Sequence, residues 1–185
     1  MQLNYLAPKQ CALLVVDIQE KLMPVIDGRE GVVKNCRLLI KTARSLHMPI
    51  LATTQYAARI GNLVPQIIDE LGETIPIDKM EFGCFANSGF QQTVHGLPRE
   101  INTLIVCGVE THICIYQTVL GGLMDGFQMW VPSDASSSRA RLNYEGGLAR
   151  MRDIGAVITS TEMIIYELLG KAGTSQFKEL LPFLK

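Results

Sequence analysis

Residues 103–109 read Thr-Leu-Ile-Val-Cys-Gly-Val (TLIVCGV). An unbroken apolar, β-branched run of this kind predicts a strand buried on both faces, because a half-exposed strand would alternate with polar residues. Directly after it the pattern changes to a helical period over His112–Met124. The same step from strand to helix recurs on both sides. Upstream, Cys11–Val16 (CALLVV) predicts a strand, and Gly31–Leu46 a helix with Val32, Val33, Cys36, Leu39, Ile40, Ala43 and Leu46 on one stripe. Pro49–Thr53 predicts a second strand and Leu63–Leu71 a short helix broken early by Pro65. Thr74–Lys79 is a weaker third strand, and Asn87–His95 a helix with Asn87 or Ser88 as N-cap. Downstream, Gln128–Val131 and Ala156–Ile158 predict strands. Leu142–Ile154, Thr161–Leu169 and Gln176–Leu184 predict helices, and the Ser136-Ser137-Ser138 run a loop and helix start.

Alternation of apolar strands with helices implies a parallel sheet, since parallel neighbours need crossover connections. The expected class is α/β: three layers, α/β/α, around a mostly parallel, doubly wound, Rossmann-like sheet. Its ligand crevice is expected beyond the carboxyl ends of the strands. With 185 residues and neither a repeat nor a linker, a single domain over 1–185 is expected.

Composition narrows the function. Hydrophobic residues make up 48% and charged residues 19%, which excludes a largely disordered chain. A net charge of −1 offers no broad field for nucleic acid or an anionic membrane, so neither is expected as a partner. No apolar run approaches the roughly 20 residues of a membrane span. The start, MQLNYLAPKQ, lacks a signal-peptide pattern. Five cysteines without a C-x-x-C predict neither a disulfide framework nor structural zinc, and a cytoplasmic setting is expected.

Three polar residues stand where strands deliver side chains to the crevice: Asp17 after VVDIQ, Lys79 after IPIDK, and Cys114 in GVETHIC. Cys114 lies in the first turn of an expected helix, where the positive end of the helix dipole favours a thiolate. Lys79 favours it too, Asp17 is placed to take the thiol proton, and backbone N–H groups of the turn are placed to hold an oxyanion. Each residue also has an ordinary reading: Asp17 as a turn cap, Lys79 as a solvated cation, Cys114 as a small buried hydrophobe. Spacing alone does not decide between the two.

Longer words of sequence do. The stretches LLVVDIQEKLMP, PILATTQY, DKMEFGCF, LIVCGVETHICIYQT and VPSDASSSR, with the tail ARMRDIGAVITSTEMIIYELLG, resemble the isochorismatase-like cysteine hydrolase superfamily in order and spacing. The likeness is greatest to the branch of isochorismatase-domain proteins with poorly defined substrates. It implies the isochorismatase-like hydrolase fold and a catalytic triad of Asp17, Lys79 and Cys114. It also implies a cis Val109–Glu110 peptide and an oxyanion hole built from the Glu110 and Cys114 amides. True isochorismatases lack the cysteine, and nicotinamidases carry a metal-binding Asp-x-His with a further His. This chain has no His between His47 and His95, so no metal and no cofactor is expected, and neither of those two activities.

Around the triad, Gln55, Tyr56, Phe82, Phe85 and Tyr116 are candidate substrate contacts, with packed loop core as the alternative. Gln19 is a candidate for orienting the triad, and His112 for pairing with Cys114. Cys11, Cys36 and Cys107 read as packing residues, and Cys84 leaves a second, nonessential reactive thiol open. The functional reading is a metal-independent hydrolase of a small amide-like or related C–N bond, through a Cys114 thioester, with a small-molecule substrate of unknown identity. The alternatives are a binding protein with little turnover and a thiol redox sensor. A homo-oligomer is expected, from the family and from the apolar helix surface at Met163, Ile164, Ile165, Leu168 and Leu169.

Overall fold

The structure is a computed structural model describing residues 5–184. Its centre is a seven-stranded sheet: β1 (Cys11–Val16), β2 (Ile50–Gln55), β3 (Ile77–Lys79), β4 (Thr103–Val109), β5 (Gln128–Pro132), β6 (Ser136–Ser137) and β7 (Val157–Thr159). The order across the sheet is β3-β2-β1-β4-β5-β7, with β6 beside the end of β4. Every registered pair is parallel. The chain runs outward from β1 to β3, then crosses back to β4 on the other side of β1. That reversal is a topological switch point, where α/β sheets open a crevice at the strand carboxyl ends.

Two apolar cores explain the all-apolar strands. Side chains alternate across a strand with period two. Leu13, Val15, Ile105 and Cys107 join one core with Cys36 and Ile40 of α1 (Arg29–Ser45), Ile67 of α3 (Pro65–Leu71) and Ile164 and Ile165 of α7 (Thr161–Leu169). Leu14, Val16, Leu104 and Val106 join the other, with Phe90 and Val94 of α4 (Ser88–His95), Val119 of α5 (Tyr116–Met124) and Met151 of α6 (Arg141–Asp153). Neither strand face is left for water. A four-residue α2 (Ala57–Ile60) and a terminal α8 (Ser175–Leu180) complete the helices.

Several boundaries move, each for a local reason. Pro65 opens α3 rather than breaking it, since proline at the first helical position sacrifices no hydrogen bond. Leu63 instead makes an isolated bridge with Gln19. β2 runs on to Gln55, whose partner in register is Lys79. Asn87 caps α4 by accepting from the Phe90 N–H at 3.0 Å. Residues 111–115 form a wide π-type turn before α5, where a helix from His112 is expected from sequence. The serine run is also misread as a loop, because Ser136 and Ser137 pair with Gly108 and Val109 as β6. A 3-10 turn, Leu181–Phe183, replaces the end of the terminal helix.

The apolar surface expected at the C-terminal helix is largely consumed at home. Ile164, Ile165 and Leu168 are buried against α1, and Met163 alone of the four residues 163, 164, 165 and 168 stands 63% exposed.

Gly108 is where β4 can approach β1 closely. Its φ is +122°, and a Cβ there would lie 2.0 Å from the Val16 carbonyl oxygen, a backbone atom that cannot step aside. Gly108→Ala is expected to cost more than about 4 kcal/mol, in the range of severe core disruption. A thermal melt checks this, and a near-native midpoint would refute it.

Candidate active site

Two charged residues stand buried at the carboxyl ends of β1 and β3. β1 delivers Asp17 and β3 delivers Lys79, with side chains 0% exposed. The Lys79 Nζ donates to Asp17 Oδ2 at 2.6 Å and to Gln55 Oε1 at 2.9 Å. Thr53, on β2 between them, donates its hydroxyl to Asp17 Oδ1 at 2.7 Å. A buried charge pair of this kind persists only when its remaining lone pairs and protons are also satisfied. Both carboxylate oxygens are. Asp17 itself has φ +54°, a left-handed conformation uncommon for a residue with a side chain and often found at functional positions.

Cys114 arrives from the other side of the switch point, in the π-type turn after β4. It is 6% exposed, and its thiol lies near enough to Asp17 and Lys79 to feel both charges. Burial and then the Asp17 charge push this thiol well up, against an opposing pull from Lys79. The helix N-terminus and Lys79 pull toward the thiolate, as expected from sequence, but burial works against them. Cys114 lies inside the wide turn before α5, where desolvation outweighs the dipole. At rest the sulfur keeps its proton beside a carboxylate placed to take it. Burial also works to lower the Lys79 ammonium, but Asp17 and the two nearby thiols, Cys114 and Cys84, raise it overall.

The turn is held by the serine segment. Glu110 Oε2 accepts from the Arg139 N–H at 2.9 Å. Thr111 Oγ1 and Ser136 Oγ lie 2.6 Å apart, and His112 Nδ1 and Ser138 Oγ 3.0 Å apart. His112 is thus paired with Ser138, where sequence offered it as a partner for Cys114. Gly147 of α6 backs the turn, since a Cβ there would sit 3.0 Å from the His112 Cα. The Val109–Glu110 peptide is cis.

The other candidates divide. Gln55 joins the triad directly through Lys79. Gln19 supports it from behind, accepting from the Gln55 N–H at 2.7 Å and donating to Gln55 O and Gly61 O. Tyr56 and Phe82 are exposed beside these strand ends, and the Tyr56 N–H donates to Lys79 O at 3.0 Å. Tyr116 is half-buried against the core of α4, α5 and α6. Phe85 belongs to that core, edge-on to Phe90 and over Gly121, so its contact role gives way to packing. Cys11, Cys36 and Cys107 are buried packing residues, as expected. Cys84 is fully buried too, yet it adjoins the triad. Thr53, Thr118, Ser136 and Ser138 went unsingled in the sequence. The available signal was a hydroxyl inside an apolar run, which must find a partner once buried.

The buried thiols carry a pH prediction. Burial pushes Cys84 to about 11 and Cys11 to about 12, from an ordinary value near 9. Above pH 9 an unfolded chain releases protons that the folded chain still holds, so stability falls as pH rises. Cys84 alone is expected to remove about 3 kcal/mol between pH 9 and 11. Urea midpoints at pH 8 and 10.5 check this, and equal midpoints would contradict it.

The sequence pattern of the isochorismatase domain matches residues 11–163, four-fifths of the chain, a span that includes Asp17, Lys79 and Cys114. The chain belongs to the isochorismatase-like hydrolase superfamily. Isochorismatase domain-containing protein 2A of Mus musculus is 35% identical over 186 residues, covering 99% of this chain and 86% of the relative. Among solved structures, the MAR1 ribonuclease of Caenorhabditis elegans superposes with a TM-score of 0.90 at 31% identity, covering 98% of this chain and 92% of that one. The YcaC gene product of Escherichia coli, an octameric hydrolase of unknown specificity, superposes at 0.91 over 99% and 92%, and at 22% identity the likeness is one of fold. This isochorismatase-like chain therefore shares its α/β/α layers with solved members. No helix among the described residues is long and apolar enough to cross a membrane.

Proposed function

We propose that this isochorismatase-like chain is a cysteine hydrolase of small amides or related C–N bonds, with Asp17, Lys79 and Cys114 as its catalytic residues. The observation that carries the reading is the buried Asp17 carboxylate, gripped by Lys79 at 2.6 Å, with the buried Cys114 thiol near enough to feel both charges. Asp17 takes the thiol proton as sulfur attacks the carbonyl carbon, and a C–S bond forms. The Glu110 and Cys114 amides receive the oxyanion. As it collapses the C–N bond breaks, and Asp17 returns the proton to the leaving nitrogen. Water then enters, Asp17 takes its proton, and hydroxide attacks the thioester. The acid leaves and the proton goes back to sulfur. One carboxylate serves as base and acid in turn, since each half-reaction reverses the proton inventory of the other.

Among the described residues no three His, Cys, Asp or Glu side chains group as a metal-binding set. Metal independence is part of the proposal: dialysis against a chelator is expected to leave turnover unchanged, and loss restored by added zinc or iron would overturn it. The five cysteines are all free, which suits a reducing, cytoplasmic setting, and the chain is read as one domain. Homo-oligomerisation is supported by the octameric E. coli hydrolase. A monomeric mass by light scattering at micromolar concentration would count against it.

The deciding experiment is a panel of small amides followed by ammonia release, with mass spectrometry of samples quenched mid-reaction. An acyl adduct on Cys114, absent in Cys114→Ala, is expected. RNA belongs in the panel because the nematode relative is named a ribonuclease. Cys114-independent turnover, or cleavage of RNA alone, would overturn the reading.

A further inference from the structure

Where β1 leaves the sheet, a side chain takes over its hydrogen bonding. The register between β1 and β2 ends at Thr53, whose carbonyl accepts from the Asp17 N–H at 3.2 Å. Asp17 then turns away at φ +54°, so Gln55, the last residue of β2, has no β1 peptide opposite it. The Gln19 side chain fills that place. Its Oε1 accepts from the Gln55 N–H at 2.7 Å, and its Nε2 donates to Gln55 O at 3.1 Å. A side-chain amide carries the same donor and acceptor as a peptide, and here it pairs with Gln55 as a strand would. The other Nε2 proton goes to Gly61 O at 2.7 Å. Gln19 is 0% exposed, so water does not compete for these bonds.

The Gln55 side chain carries the network into the triad. Its Nε2 donates to Met80 O at 2.8 Å, and its Oε1 accepts from Lys79 Nζ at 2.9 Å. Reversed, the amide would set its NH2 against an ammonium and its oxygen against a carbonyl, so only one orientation is satisfied. An ammonium held by a single carboxylate oxygen is free to turn about its Cε–Nζ bond and to slide around that oxygen. Two acceptors, Asp17 Oδ2 at 2.6 Å and Gln55 Oε1 at 2.9 Å, remove that freedom. The Lys79 side chain is fully buried, so no water stands in for either acceptor.

We propose that Gln55 is a positioning residue, whose amide fixes the Lys79 ammonium against Asp17, and that Gln19, by pairing with the Gln55 backbone, acts on the triad only through it. The charged and titratable groups facing Lys79 are Asp17 from the end of β1, Cys114 from the turn before α5 and Cys84 from the turn after β3, while β2 adds the neutral Gln55. The proposal rests on the triad reading, in which Lys79 assists Cys114. Its test needs no substrate, so it stands or falls separately from amide hydrolysis.

The probe is iodoacetamide, with alkylation of Cys114 in the intact protein followed by mass spectrometry from pH 6 to pH 9. The thiol is mostly protonated over this range, so the rate follows the thiolate fraction, and half a pH unit in the thiol is about a threefold change in rate. Gln55→Met keeps length and volume but removes the acceptor. It should slow labelling about threefold at every pH in the range, because an ammonium freed from its second anchor supports the thiolate less. Gln19→Met should slow it about twofold. In Gln55→Met, adding Gln19→Met should slow labelling no further, because no amide is left for Gln19 to place. If Gln55→Met does not fold, Gln55→Asn keeps an amide one methylene too short to span Met80 O and Lys79 Nζ, and should slow labelling equally. A merely structural role predicts the opposite sign, since a loosened site admits water and reagent to a thiol that burial had pushed up. Unchanged or faster labelling in Gln55→Met or Gln55→Asn, or a double variant slower than Gln55→Met alone, would overturn the proposal and leave the triad standing, provided that Lys79→Met slows labelling. Labelling indifferent to Lys79→Met would overturn both.

Discussion

Asp17→Asn is expected to lower hydrolysis of a true substrate by about 100-fold or more, the scale of general acid–base catalysis. Alkylation of Cys114 should respond quite differently. The Asp17 charge is the second largest influence pushing the Cys114 thiol up, after burial. Asparagine removes that charge and keeps the shape, so ionisation of the sulfur becomes easier as the proton shuttle disappears. Iodoacetamide labelling at pH 7 should therefore hold or rise while turnover collapses. The divergence separates a base from a mere structural carboxylate, for which both rates would fall together. A redox sensor would lose only its oxidation response, and a pure binding protein would have no turnover to lose. Near-wild-type hydrolysis in Asp17→Asn would refute the mechanism.

Lys79→Met is expected to lose about 3–5 kcal/mol of stability at neutral pH, the cost of stranding one partner of a buried ion pair. Lys79 is among the largest fully buried side chains, and its ammonium meets Asp17 at 2.6 Å in a surround that excludes water. Methionine fills much of the same volume, so the loss is one of charge rather than of packing. The folded state raises the Lys79 ammonium, so its stabilisation is fully present below its ordinary value near 10.5 and fades only above that. The deficit should hence be constant across the neutral range. Cys114 labelling and turnover should both slow, because Lys79 is what opposes the upward push on the thiol. Adding Asp17→Asn to Lys79→Met should recover part of the stability, since no charge is then left unpaired. Equal urea midpoints for wild type and Lys79→Met, or no recovery in the double variant, would contradict this account.

The reach of the sequence differs between fold and site. β1 and β4 were legible to the residue, because each is an all-apolar run and period two gives it two buried faces whatever surrounds it. Asp17, Lys79 and Cys114 were legible as strand-end polar residues within familiar words. Thr53 was hidden in PILATTQY because a threonine suits a strand for its branched side chain, and nothing local says that its hydroxyl meets a carboxylate from β1. Cys84 was left open in the sequence as a second reactive thiol, and only the folded structure shows it fully buried with its N–H donating to Thr118. Ser136 and Ser137 have the composition of a loop. They become a strand only because β4 presents an unpaired edge at Gly108 and Val109, and the same pairing secures the turn that carries Cys114.

Short-range patterns in the chain thus determined by themselves most strands, most helices and the layered α/β class, and marked Asp17, Lys79 and Cys114 as strand-end candidates. Those features depend on hydrophobic period, helix caps and residue type, which neighbours in sequence carry. Tertiary structure alone decided the burial of Cys114, the Thr53 and Gln55 anchors and the turn of His112 toward Ser138. Each of these depends on burial and on hydrogen bonds between residues tens of positions apart. The desolvation that keeps the proton on sulfur exists only once β1, β3 and α5 have closed around it.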